Sequence, residues 1–312
     1  MLSLNSNIFK LVFGCFFMEN TSDNEKLSEY RNRIAHSFDS EYFRKNAKLL
    51  ENLKIPQKIF NEIHVEGFNN VYAMQGRQLV YFSNHVSLSD FLVQAYTFYQ
   101  KNTDPPRFIA GENLNRFAIG DFFRKCGAIF IQRGKKDRDY WKTYIQYLKK
   151  EVLGAGESLL IYPEAGRNTY PDTIRRFQMG TLKHVADIAS NGAEIYGMCI
   201  HSSYDKIPEA RFMSKVTKHK KLRDEYKKQA RQKKSLRKKI KKRQAWIHDE
   251  LYWMYDVLAF ATRPFVKDKG DAYLKFGEPF LLNECAGTKG NGGGEKLAQK
   301  IRKELIKLGN YK

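Results

Sequence analysis

Leu79-Val80-Tyr81-Phe82-Ser83-Asn84-His85-Val86-Ser87-Leu88-Ser89-Asp90-Phe91-Leu92-Val93-Gln94-Ala95-Tyr96 changes its period halfway along. Leu79 to Phe82 is an unbroken apolar run, the pattern of a buried strand, whereas Phe91 to Tyr96 carries apolar residues at helical spacing. His85 is therefore expected on the connecting loop. In an open α/β sheet such loops leave the carboxyl ends of strands, where ligands bind and a reactive side chain reaches solvent. Histidine titrates near neutrality, and the carboxylate of Asp90 can hold one ring tautomer and stabilise the imidazolium formed when a proton is taken up. Ser87 and Asp90 also have the spacing of a capping box, which explains the aspartate without any chemistry.

Outward from this stretch, short apolar runs alternate with amphipathic segments, the signature of strand-helix units in an α/β layer. Further strands are expected at Arg107–Ala110, Gly127–Ile131, Ser158–Tyr162, Ala193–Cys199 and Ala272–Phe276, and helices at Phe117–Cys126, Asp139–Leu153 and Met179–Ser190. A last helix carries Leu297, Ile301, Leu305 and Ile306 as its apolar positions. The expected fold is α/β, a mixed, mostly parallel sheet flanked by helices. Residues 1–75 are read as an N-terminal helical region and 76–312 as the α/β domain, with a basic and aromatic helical insertion at 210–264. The glycine-rich stretch Gly290-Asn291-Gly292-Gly293-Gly294 follows no phosphate-loop pattern and reads as a connection.

The 312 residues are 42% hydrophobic, enough for a substantial core, and their formal net charge of +21 implies a polyanionic partner. Residues 215–243 hold sixteen Lys and Arg against Asp224 and Glu225, so they supply +14 of that charge. Such a segment exceeds what solubility requires and suits an anionic membrane surface, with the following aromatics, among them Trp246, Trp253 and Tyr255, at the headgroup boundary. Nucleic-acid binding competes, but the chain shows no RNA- or DNA-binding module. Ile8 to Met18 is apolar but short and broken by Lys10, so a transmembrane helix is not expected. Cys15, Cys126, Cys199 and Cys285 are widely spaced with no metal-ligand pattern, which fits a reducing compartment and no metal.

Three further strand ends carry polar or charged clusters: Gln132-Arg133, Pro163-Glu164-Ala165-Gly166-Arg167-Asn168 and Ser203-Tyr204-Asp205. One sheet edge then collects His85, Asp90, Arg133, Glu164, Arg167 and Tyr204. Two guanidinium forks suit an anionic substrate, and Gly166 permits close backbone approach to a ligand.

Taken in order, these blocks resemble the glycerolipid acyltransferase superfamily. Asn84–Asp90 is similar to its His-x4-Asp block, Gly127–Arg133 to its second block and Tyr162–Asn168 to its Phe-Pro-Glu-Gly-x-Arg-Ser block. Ser203–Glu209 and Ala110–Leu114 resemble the branch that acylates glycerol 3-phosphate or dihydroxyacetone phosphate. The resemblance covers about residues 79 to 209. It departs from the pattern at Ala165, Asn168 and Cys199, and at Gln178, where relatives carry Lys; Arg175 or Arg176 is positioned to replace that charge.

The resemblance implies acyl transfer from acyl-CoA or acyl-carrier-protein to glycerol 3-phosphate, with no cofactor. His85 would act as base and Asp90 would fix its ring, with backbone amides near the His85 loop stabilising the oxyanion. Arg133, Glu164, Gly166 and Arg167 would hold the acceptor, with Asn84 and Tyr204 as further candidate contacts. The expected setting is peripheral, on a cytoplasm-facing membrane. A lysolipid acceptor, and a non-catalytic membrane or nucleic-acid binding protein on the same fold, are the alternative readings.

Overall fold

The computed structural model describes residues 25–115, 117–132, 137–164, 166–168, 173–190, 194–210, 266–285 and 293–310. Arg133, Ala165, the apolar segment Ile8 to Met18 and all of the basic insertion except Ala210 lie outside the described residues.

In chain order the elements are α1 (25–34), α2 (Ser40–Asn52), α3 (Ile55–Ile59), β1 (Ile63–Glu66), α4 (Asn69–Ala73), β2 (Gln78–Ser83) and α5 (Ser89–Gln100). They continue with β3 (Arg107–Gly111), α6 (Phe117–Lys125), β4 (Ala128–Ile131), α7 (Arg138–Tyr147), β5 (Leu159–Ile161) and α8 (Met179–Ala189). The last are β6 (Ile195–Tyr204), β7 (Ala272–Phe276), β8 (Phe280–Leu281), α9 (Leu282–Cys285) and α10 (Gly293–Gly309). No described helix is long and apolar enough to cross a membrane.

The chain divides into two compact units, one of residues 1–39 and 107–157, the other of residues 40–106 and 158–312. In the smaller, β3 and β4 pair in parallel, joined through α6. Its buried cation is Arg107, whose guanidinium donates to Gly127 O (3.1 Å), Glu157 Oε2 (2.8 Å), Tyr147 Oη (2.9 Å) and His36 O. Burial, then the charges of Arg124 and Arg107, lower His36 to about 4, so its ring is neutral at pH 7. Asp137 caps α7 by accepting from the amides of Asp139 and Tyr140, and it also accepts from the Tyr30 hydroxyl at 2.7 Å.

The larger unit holds a mixed sheet in the order β1-β7-β6-β2-β5, with β8 pairing β6 beyond the end of β7. β1–β7, β6–β2 and β2–β5 are parallel; β6–β7 and β6–β8 are antiparallel. Every residue of β2 after Gln78 is buried, as a central strand covered on both faces requires. β7 alternates buried and half-buried positions, the mark of a strand with one face packed.

Helix α5 covers one face of the sheet. Its Phe98 ring stands edge-on to Tyr81 of β2, Phe68 and Phe276 of β7, with centroids 5.5, 5.4 and 5.9 Å away. The other face is covered by α10, which buries Leu297, Ile301 and Leu305, spaced by four, and whose Ile301 carbonyl accepts from Cys199 Sγ of β6.

The expected N-terminal helical region holds α1 to α4, and it also contributes a strand, because Ile63–Glu66 pairs with β7 in the sheet. The strand's four residues are no more than half-buried, so no continuous apolar run announces it. β6 also runs past Cys199, the expected end, because Ile200–Tyr204 finds an antiparallel partner in β7.

Phe98 is 1% exposed and joins three other rings. Phe98→Ala should cost about 3–5 kcal/mol in a urea unfolding experiment. A loss under about 1 kcal/mol would mean that α5 is not packed on the sheet as described.

Candidate active site

β2 lies between β5 and β6, and Phe82 is level with Ile161 on one side and Cys199 on the other. Because all three strands run the same way, the loops that follow them are neighbours at the carboxyl edge. This register brings His85, Asp90, Glu164, Gly166, Arg167 and Tyr204 together within the larger unit.

Asp90 sits at the centre with a side chain 0% exposed. Its Oδ2 accepts from His85 Nδ1 at 2.8 Å and from the amides of Val86 at 2.7 Å and Ser87 at 3.1 Å. Its Oδ1 accepts from the Tyr204 hydroxyl at 2.6 Å. A carboxylate presents only acceptors to these donors, so His85 Nδ1 carries the hydrogen and Nε2 keeps the lone pair. The His85 ring lies against Tyr162, centroids 4.6 Å apart.

Both tyrosine hydroxyls remain protonated, raised well above their ordinary value by burial and next by the charge of Asp90. The capping reading coexists with the catalytic one. Ser87 Oγ accepts from the Ser89 amide at 3.0 Å while Asp90 reaches back to the Ser87 amide, and the same carboxylate orients His85.

Polar side chains beneath the loop hold it to the sheet. Gln94 Nε2 donates to Ser83 Oγ and Ser202 Oγ, both at 2.9 Å, and its Oε1 accepts from the Tyr162 hydroxyl at 3.0 Å. Asn84 exchanges two hydrogen bonds of 2.8 Å with the backbone of Ser202 and is 2% exposed. The structure thus gives Asn84 to the β2–β6 junction, in place of the acceptor contact expected for it. The Tyr204 hydroxyl, the other candidate contact, is committed to Asp90.

The oxyanion expectation is corrected as well. The amides of Val86 and Ser87 point at Asp90, that of Leu88 at Glu209 and that of Ser89 at Ser87 Oγ. None of these four is directed at a substrate oxygen.

The turn after β5 packs on this loop, with the Asn168 amide donating to His85 O at 2.5 Å and the Asn168 side chain to Thr173 O. Arg175 Nη1 donates to Arg167 O at 3.0 Å, so this arginine, one of two considered for the missing lysine, braces the turn. Glu164 is buried; its Oε2 accepts from the Arg175 amide at 3.1 Å and, among the described residues, its Oε1 has no hydrogen-bond partner. Burial raises its carboxyl above the ordinary value, against the pull of the Arg175 and His85 amides. At Gly166 an added Cβ would meet, among the described residues, nothing nearer than Arg175 Nη1 at 4.0 Å.

The carboxylate that pairs with Arg167 is Glu209, at 3.1 Å from Nη1. Glu209 is 1% exposed and also accepts from the Leu88 amide at 2.6 Å and Ser87 Oγ at 2.8 Å. Sequence reading placed it in a block without a role, because a glutamate five residues past a strand end carries no signal of what it will touch.

Residues 62–202 match the family model described as Acyltransferase. A glycerol-3-phosphate acyltransferase of Pseudoalteromonas atlantica is 33% identical over 146 residues, 46% of this chain and 18% of that protein. One from Haemophilus influenzae is 37% identical over 114 residues, 36% of this chain and 14% of its own. Residues 62–202 form an acyltransferase domain of the glycerolipid acyltransferase superfamily. The matched stretches thus span less than a fifth of these relatives' own length. The acyltransferase domain covers the His85, Glu164 and Arg167 loops but ends before Tyr204 and Glu209. Among solved structures, the 1-acyl-sn-glycerophosphate (LPA) acyltransferase of Thermotoga maritima is 14% identical with a TM-score of 0.45, over 85% of this chain and 79% of that one.

Because the folded-state value of Glu164 is raised, its bound proton adds stability below the ordinary glutamate range, and that stability is lost as pH rises through the folded-state value. Glu164→Gln removes the titration. Between about pH 4 and pH 7 the urea midpoint of the variant should therefore gain on that of wild type. A difference independent of pH would rule out the burial account.

Proposed function

We propose that the chain transfers a fatty acyl group from a thioester, acyl-CoA or acyl-carrier-protein, to a hydroxyl of glycerol 3-phosphate, as a step of phospholipid biosynthesis. The observation that carries this reading is the buried Asp90 holding His85 Nδ1 at 2.8 Å, inside an acyltransferase domain related to enzymes named for that reaction.

His85 Nε2 takes the hydroxyl proton as the oxygen attacks the thioester carbonyl. When the C–S bond breaks, the thiolate leaves and the proton on His85 returns to it. Transfer is direct. Ser87 Oγ is engaged with Glu209, and the Cys199 thiol is buried with its ionisation pushed far up, so neither is poised as a nucleophile. Arg167 is assigned to the acceptor phosphate by the planar fork its guanidinium offers. Glu164 Oε1, a buried acceptor atom without a hydrogen-bond partner among the described residues, is assigned to an acceptor hydroxyl.

The working place proposed for this chemistry is an anionic, cytoplasm-facing membrane surface, reached through the basic segment 215–243. Near an anionic leaflet each basic residue contributes on the order of 1 kcal/mol, which salt screens.

Two experiments test this. Protein supplied with labelled acyl-CoA should acylate glycerol 3-phosphate in preference to dihydroxyacetone phosphate or lysophosphatidic acid, and His85→Ala should fall by at least about 10³-fold. Turnover persisting in that variant, or an acyl-enzyme adduct in intact-mass spectra, contradicts the mechanism. In flotation assays the chain should rise with phosphatidylserine vesicles at low salt and lose this on deletion of 215–243. Filter retention of RNA with no flotation would favour the nucleic-acid alternative.

A further inference from the structure

The end of β6 and the turn after it send two side chains back under the His85 loop, and they reach different parts of the site. Tyr204, the last residue of the strand, donates to Asp90 Oδ1 at 2.6 Å; its ring is stacked on Phe60 with centroids 5.3 Å apart. Glu209, five residues later, holds Arg167 Nη1 at 3.1 Å. It is itself fixed by Ser87 Oγ at 2.8 Å and the Leu88 amide at 2.6 Å.

We infer that Tyr204 and Glu209 are the positioning residues of the two arms of the site: Tyr204 sets how strongly Asp90 supports proton uptake by His85, and Glu209 sets where Arg167 meets the acceptor phosphate. The inference rests on the base and phosphate roles proposed above.

Asp90 Oδ2 already serves three donors, and Tyr204 donates to its other oxygen. A hydrogen bond into Oδ1 draws charge away from the oxygen facing His85. Without it Asp90 is the stronger acceptor and stabilises more strongly the imidazolium formed on proton uptake. The other titratable groups around this pair are Tyr162 and Glu164 from the β5 end, His201 from β6 and Glu209 beyond it. His201 is held down to about 4, by burial first and then by Lys275, and Tyr162 is held up, so both stay neutral across the range in which a histidine base titrates.

On the other arm, an arginine side chain is long and flexible, and holding one nitrogen on a carboxylate that is anchored twice removes much of that freedom before the phosphate arrives. The carboxylate also lies 1% exposed beside the loop that carries the base, so the phosphate arm and the proton arm share one rigid support.

The test uses the full chain with labelled acyl-CoA and glycerol 3-phosphate, measuring kcat and acceptor KM against pH, with thermal melts as the folding control. Tyr204→Phe keeps the ring and removes the hydroxyl. It should move the acid limb of kcat/KM to higher pH and leave the acceptor KM near wild type. Glu209→Gln should raise the acceptor KM about 3- to 10-fold with the acid limb in place, and Glu209→Asp, which keeps the charge, should recover part of the loss. If Glu209→Gln does not fold, Ser87→Ala, which removes one anchor of the carboxylate, should give a smaller rise in the same constant.

His85→Ala and Arg167→Ala separate the two levels of the argument. Activity retained in the first, or an unchanged acceptor KM in the second, overturns the base or phosphate role and the corresponding arm with it. If both behave as proposed, an unmoved acid limb in Tyr204→Phe, or an acceptor KM unchanged or lowered in Glu209→Gln, overturns the inference alone.

Discussion

Removing a carboxylate completely from water is costly unless its oxygens are given donors, and Asp90 is buried with four of them. That requirement ties the site together. Two donors are amides of the loop after β2, which sets the loop's path; one is His85, which sets the ring; one is Tyr204, which requires β6 to extend to its last residue. Helix α5 must start where Asp90 can turn back on the loop, and the phenylalanine cluster around Phe98 holds that helix on the sheet.

Around this carboxylate the fold builds a second buried one. Glu209 serves the loop amide of Leu88, the Ser87 hydroxyl and Arg167, so a basic side chain on the β5 turn is referenced to the same few residues that carry the histidine. The proposed general base and the proposed anion binder are thereby mounted on one frame, and in the proposed transfer their relative position would set the rate. Glu164 contrasts with both. It is buried, its Oε1 has no hydrogen-bond partner among the described residues, and burial raises its carboxyl.

Strands whose residues are all buried were legible in the sequence because each reads as an unbroken apolar run. Leu79–Phe82, Ala128–Ile131 and Leu159–Ile161 are of this kind, and α8 and α10 showed their apolar stripes. β1 was not legible, since its Ile63-His64-Val65-Glu66 is half-exposed and becomes a strand only by pairing with β7, some two hundred residues away. The far half of β6 was hidden for a related reason. His201, Ser202 and Ser203 are polar, and only the register with β7 and the Gln94 side chain makes their burial tolerable.

By itself the sequence determined that His85 and Asp90 flank a strand-to-helix turn, that Glu164, Gly166 and Arg167 follow another strand, and that the chain belongs with proteins built on such blocks. Local period and spacing suffice for those statements, because they depend on neighbours along the chain. Only the tertiary structure decided that Asn84 belongs to the sheet, that the amides of residues 86–89 serve carboxylates and a hydroxyl of the loop's own surroundings, and that Tyr204 donates to Asp90 and Glu209 pairs with Arg167. Those partners are brought together by the parallel register of β2 with β5 and β6, and a hydrogen bond between residues more than a hundred positions apart leaves no periodicity in the sequence to be read.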